Sequence, residues 1–225
     1  METLYLLFVS KVYLDYFCFM NDELLSILRK VRTLYRKYGI RSVTMDDISH
    51  ELGISKKTLY QYVHDKDDLV RQFVELEMND HDNRMNISCT EDNNAIEQLL
   101  EIARCISILL KDHSMAAEYD LKKYYPDLYS KVRDLKRNHM LKFILANLIK
   151  GKEEGIYRKE MNVEIIAKLN VSIIDNIFDN EVITISEFLD TRFFYEFFVY
   201  HIRGIANATG LQLLDAQLDK YEFPK

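Results

Sequence analysis

An all-α fold is predicted by three observations. Helix breakers are scarce, with 6 Gly and 2 Pro among 225 residues, so long helices run uninterrupted. Apolar residues recur at spacings of three and four along most of the chain, the period of one helix face. No strand-like alternation of any length accompanies them, and neither an internal repeat nor a low-complexity segment is present.

Leu24, Leu28, Val31, Tyr35 and Tyr38 form a first stripe, while Arg29, Arg32, Arg36 and Lys37 fall off it, which predicts a helix that ends at Gly39. Thr44 is placed to cap a second helix, with Asp46 and Asp47 in its first turn, where negative charge is favoured. Ile48 and Leu52 face inward. Gly53 adopts a left-handed conformation without steric cost, so the chain turns sharply after about two helical turns. Ser55 caps a third helix carrying Leu59 and Val63 inward at i, i+4, and Asp65 caps a fourth that continues through Leu69, Phe73 and Leu76.

The polar run from Asn86 to Asn94 interrupts the pattern before a helix from about Ala95 to Lys111. Pro126 separates a short helix from a long one that runs from Asp127 to about Glu154 and stops at Gly155. Asn162 caps VEIIAKLNVSIIDNIF, and Thr184 with Glu187 has capping-box spacing ahead of FLDTRFFYEFFVYHIRGI.

Charge is distributed unevenly. The net charge is −6, which taken whole disfavours a nucleic-acid partner. Between Ser26 and Lys66, however, nine basic residues face four acidic ones, a net +5, and the remainder is −11. Cys18, Cys89 and Cys105 are widely spaced and odd in number, which excludes a disulfide framework and a Cys-based zinc site and fits a reducing cytoplasm. Asp80, His81, Asp82 and Asp92 lack helical ligand spacing, so no metal site and no cofactor is expected. Lys11 and Asp15 interrupt the apolar start METLYLLFVSKVYLDYFCF, which reads as neither signal peptide nor membrane span. Met20 directly precedes NDELLSIL. Residues 1–19 are therefore read as an extension that translation from Met20 would omit, which intact mass of the natively expressed protein tests.

Two short helices about a Gly turn, the second presenting its first residues outward, have the layout of a helix-turn-helix. GISKKTLYQYVHDKDDL, Gly53 to Leu69, moreover resembles the signature of the tetracycline-repressor (TetR/AcrR) family of bacterial transcriptional regulators. Gly53, Ile54, Ser55, Thr58, Leu59, Tyr60, Tyr62, Val63, Lys66 and Leu69 match its pattern, and Gly39, Val43, Thr44, Ile48 and Leu52 match upstream. The motif covers about fifty residues from Leu24 to Phe73; Ser49 stands where the family usually has Ala.

The resemblance implies a three-helix DNA-binding domain over residues 20–68 and a larger helical effector-binding and dimerisation domain over 69–225. Thr44, Ser55, Tyr60 and Lys66 would hold phosphates, and Lys56, Lys57, Thr58 and Tyr62 would approach bases or the adjoining backbone. The expected partners are a double-stranded, palindromic DNA operator, a second copy of the chain and an unknown small-molecule effector, with no membrane, in a bacterial cytoplasm. The implied activity is ligand-released repression, with the fourth helix as the lever.

Beyond Phe73 only the organisation is similar, so further sites are read from the residues. Met115, Tyr119, Tyr124, Tyr125 and Phe143 are polarisable or aromatic enough to line an effector pocket. Phe188, Phe193, Phe194, Phe197, Phe198 and Val199 surround one helix too completely for a single core stripe, so a second face meets a partner. With Ile165, Leu169, Ile173 and Ile177 on the preceding helix, a two-fold four-helix interface follows, to which Ile173, Ile177, Phe194 and Phe198 are assigned.

Two other classes remain open on the sequence. An all-α cytosolic ligand carrier or enzyme with an incidental helix-turn-helix would need chemistry that G-x-x-x-x-G-K, H-E-x-x-H, G-x-S-x-G or paired E-x-x-H would signal, and none is present. An architectural DNA binder would lack any response to a metabolite and leaves the large second region unexplained.

Overall fold

The computed structural model describes residues 22–88, 93–111, 114–176, 182–184, 187 and 190–218; the side chains of 80–88, 107–111, 191 and 194 are not described. The extension 1–19 lies outside these residues. The described chain contains no strand, only one isolated antiparallel bridge between Tyr157 and Ala206.

Two compact units share the chain, the first ending at Met78 and also taking in Ser114–Pro126, the second comprising Asn79–His113 and Asp127–Lys225. In the first unit, α1 spans Asp22–Tyr38, α2 Met45–Leu52, α3 Lys56–Leu59 and α4 Lys66–Ser88, with α6, Met115–Tyr124, contributed from further along. The unit boundary falls within α4. Leu28, Val31, Tyr35, Ile48, Leu59, Leu69 and Val70 are buried without measurable exposure, each at a position on the inward stripe of its helix, and Tyr35 meets Phe73 edge to face at 5.2 Å.

Helix ends follow their caps. Thr44 and Asp47 form a capping box at the start of α2, each side chain taking the other's backbone N–H. Gly53 closes α2 at φ 67°, and the Ile54 N–H returns to the Ser49 carbonyl at 3.0 Å. Ser49 is buried, and its hydroxyl donates to the Met45 carbonyl at 2.7 Å, so replacing Ala here leaves no polar atom stranded.

The third helix is shorter than its apolar spacing predicts. After Leu59 the bonds tighten, Gln61 N–H to Thr58 and Tyr62 N–H to Leu59 at 3.1 Å each, a three-residue pattern that ends regular helix. The turn lets Asp65 accept the Asp68 N–H at 2.7 Å and begin α4, while the Asp68 carboxylate takes the His64 N–H. Leu59 and Val63 remain buried together.

In the second unit, α5 spans Ala95–Lys111, α7 Pro126–Glu153, α8 Val163–Asn176, α9 Thr191–Ile205 and α10 Ala208–Leu218. Pro126 occupies the first helical position, where its missing N–H costs nothing. The core joins Ile96, Leu99 and Leu100 to Ile144 and Leu148, Val171, Ile202 and Leu214. One buried polar group runs through it: the Tyr157 hydroxyl donates to Asn147 Oδ1 at 3.0 Å, and Asn147 Nδ2 donates to the Ala95 carbonyl at 2.8 Å. Gly151 makes room for the Tyr157 ring, since a Cβ there would lie 2.1 Å from its nearest carbon. Thr184 and Glu187 make the expected capping pair, but α9 itself is capped by Asp190, which accepts the Arg192 N–H.

Candidate nucleic-acid interface

The outward side of the helix-turn-helix is built by burying the opposite side. With Leu59 and Val63 held in the core, Lys56, Lys57, Tyr60 and Gln61 are left in solvent, and Thr58 and Tyr62 are half-buried. Ser55 caps α3, accepting the Thr58 N–H at 3.0 Å, and its hydroxyl lies 2.8 Å from that of Thr58. The α3 N-terminus is thereby fixed with its lysines pointing away from the core.

Each sequence-predicted residue has a definite state. The Thr44 hydroxyl meets the Asp47 carboxylate at 2.7 Å, and those bonds hold Asp47 below the usual carboxylate range. Lys56 pairs with Asp46 at 2.7 Å across an exposed surface; such a pair is weak. That bond raises the Lys56 pKa, so the ammonium stays charged. Tyr62 donates its hydroxyl hydrogen to Glu23 in the first turn of α1, a partner 39 residues away that no local pattern announces. Lys66 donates to the Arg41 carbonyl at 3.1 Å, and burial, then the Arg41 charge beside it, lower its pKa. Lys57 and Tyr60 project outward, Tyr60 with 46 % of its surface exposed.

The pocket candidates divide between the units. Met115, Tyr119, Tyr124 and Tyr125 lie on α6 or immediately after it, and Tyr119 is 59 % exposed. Tyr125 donates to Asp67 at 2.9 Å, and burial followed by that bond pushes its pKa up to about 12. Phe143 packs against the core of the second unit. That unit carries a separate groove of about 300 Å³ between α7 and α8, lined by Leu141, Leu145, Ile149, Val163, Glu164 and Lys168, none of which the sequence reading assigned to a ligand.

Of the dimer candidates, Ile177 lies outside the described residues and the Phe194 side chain is not described. Phe198 is a correction. It is 7 % exposed, with its ring edge-on to Phe197 at 5.7 Å, so it is spent within its own unit. Ile173 is open, as are Ile165 and Leu169, all three more than half exposed along one row of α8. No described helix is long and apolar enough to cross a membrane.

Residues 27–73 match the family model described as bacterial regulatory proteins, tetR family. None of the curated proteins matches the sequence. Among solved structures, a transcriptional regulator from Cytophaga hutchinsonii superposes with a TM-score of 0.69 at 17% identity, over 83% of this chain and 100% of that one. A TetR-family transcriptional regulator from Streptomyces coelicolor gives 0.64 at 18% identity, over 83% and 98%. A transcriptional regulator from Saccharomonospora viridis, in complex with choline, gives 0.62 at 17% identity, again over 83% and 98%. At these identities the structural likeness is one of fold, and the segment that the family model matches is the one that forms the helix-turn-helix. The helix-turn-helix segment of this chain is thus similar to bacterial regulatory proteins of the tetR family, and the helical region that follows has the fold of the solved regulators.

Proposed function

We propose that the protein is a ligand-responsive transcriptional repressor that binds a palindromic operator as a homodimer. The observation that carries the reading is the outward face of α3 and the turn after it, where Lys56, Lys57, Thr58, Tyr60 and Tyr62 are presented while Leu59 and Val63 anchor the core. Lysines supply phosphate or guanine contacts and tyrosine hydroxyls bond phosphates. Thr44, Ser55 and Lys66 flank them, with Thr44 exchanging its Asp47 bond for a phosphate oxygen.

Support for a homodimer comes from Ile165, Leu169 and Ile173, an apolar row on α8 without cover in the single chain. Two-fold pairing through α8 and α9 presents two reading heads to half-sites at least one DNA turn apart. An effector releases the operator by binding one head spacing better than the other, with α4 as the lever, and shifts the equilibrium only by that difference. The choline bound to a structural neighbour supports a small-molecule effector, and the −11 balance outside the DNA-binding segment suits a cationic one.

Selection of bound duplexes from a random pool at near-physiological salt tests the reading, with Lys57→Ala and Tyr60→Ala in parallel. The expected result is a palindrome recovered by the native chain and lost by both variants. Recovery of no enriched sequence would refute it.

A further inference from the structure

We propose that the DNA surface extends beyond the helix-turn-helix onto α6, where Arg41 and Lys123, both seated on the ring of Tyr124, grip backbone phosphates flanking each half-site. The inference rests on the DNA-binding reading above and adds a second, sequence-independent contact to it.

The patch is assembled from three places in the first unit. Arg41, in the turn after α1, sits 5.0 Å from the Tyr124 ring centroid. Lys123, in the last turn of α6, sits 5.4 Å from the same centroid and 5.3 Å from that of Tyr119, whose hydroxyl oxygen accepts from Lys123 Nζ at 3.1 Å. Lys66, at the start of α4, donates to the Arg41 carbonyl. One aromatic ring therefore carries two cations, and a third is bonded to the same turn. Lys66 is already among the residues matched to phosphate contacts, so the patch continues that surface.

The backbone beneath is fixed, while the charges remain outside. Asp120 accepts the Arg41 N–H at 2.7 Å, the Ser114 hydroxyl bonds the Arg36 carbonyl at 2.8 Å, and Tyr125 bonds Asp67. The nearby carboxylates of Asp120 and Asp67 thus hold a backbone amide and a tyrosine hydroxyl. Arg41 and Lys123 are exposed, and the Tyr119 bond raises the Lys123 pKa, keeping it charged. Asp120, Asp67 and Asp47 offset part of the charge at Lys66, so Arg41 and Lys123 are the cations left facing outward. An open surface of exposed cations on aromatic rings suits a polyanion lying across it better than a small anion, which needs enclosure. Stacking on Tyr124 also limits the freedom the two side chains lose on contact.

The test uses the full chain, with Arg41→Gln, Lys123→Gln and the double variant compared with the native protein on the selected operator and on a random duplex. Anisotropy titrations from 50 to 200 mM salt and hydroxyl-radical footprints supply the readouts. Lys159→Gln, an exposed lysine in the turn before α8, is the control and leaves binding unchanged. Each phosphate contact adds about 0.9 to the slope of log affinity against log salt, about eightfold at 0.1 M. Each single variant removes one contact from each protomer, so the homodimer is expected to lose about sixtyfold on both duplexes and to flatten the slope by about 1.8, and the double variant to lose the outermost protections. Full affinity, slope and footprint in the double variant would overturn the inference and leave the helix-turn-helix reading intact. Failure of the native chain to bind any duplex would overturn both.

Discussion

Gly151→Ala should destabilise the second unit, although by helix propensity alone it should help. A Cβ at this position would lie 2.1, 2.2 and 2.7 Å from three carbons of the Tyr157 ring, which is fully buried. The ring has to move, and its hydroxyl is held at 3.0 Å by Asn147, which also ties down the Ala95 carbonyl at the start of α5. Overpacking of this kind costs about 1–3 kcal/mol. Loss of the buried hydroxyl bond adds roughly 1–3 kcal/mol, and replacing a glycine in the last turn of α7 returns about 1 kcal/mol. The net expectation is about 1–5 kcal/mol of lost stability, or roughly 2–20 °C in Tm for a chain of this size. Thermal unfolding followed by far-ultraviolet circular dichroism measures it. Gly204→Ala on α9, where an added Cβ meets nothing within 4 Å, is the comparison and should gain about 0.5–1 kcal/mol. If both substitutions stabilised alike, the reasoning from Tyr157 would be wrong.

Three further outcomes follow from other positions. Burial pushes His201 down to about 4, and its Nδ1 takes the Asn170 amide at 3.0 Å, a role open to an unprotonated nitrogen. The unfolded chain binds this proton first, so the contribution is complete above about pH 6.5 and lost between pH 6.5 and 4, up to about 3 kcal/mol; urea titrations at stepped pH should show that slope, flattened in His201→Gln. Ser49→Ala should be near neutral, within about 0.5 kcal/mol, because the Met45 carbonyl already belongs to the helix ladder; a loss above about 1.5 kcal/mol in chemical denaturation would count against this. Ser55→Ala removes the α3 cap and should cost about 1 kcal/mol of stability, visible as a lower denaturation midpoint at unchanged slope.

Local signals carried most of the first domain. Thr44, Gly53, Ser55 and Asp65 are punctuation whose chemistry acts within four residues, and each terminates or starts a helix where its type predicts. The end of α3 was less legible, because the apolar spacing of Leu59 and Val63 survives even where the backbone between them has left the α-helix. Long-range partners left no trace: nothing near Tyr62 points to Glu23, and nothing near Arg41 points to Tyr124. The final helix α10 escaped the reading because Gly210 lies in its first turns, where it is required by the Ile156 carbonyl, 2.2 Å from any added Cβ. Phe198 misled for the opposite reason, since an aromatic surplus around α9 does not say which rings its own unit consumes.

The first unit is discontinuous in sequence, since α6 reaches it only after the intervening stretch from Asn79 to His113. During synthesis the leading helices therefore emerge from the ribosome well before the segment that bonds Arg36, Arg41 and Asp67. Contacts so separated close late, after a longer loop has been ordered. A fragment cut after Met78 would leave the ribosome with its reading helix formed and its flank unfinished, and a chimaera that grafts this head onto another body would have to bring α6 with it.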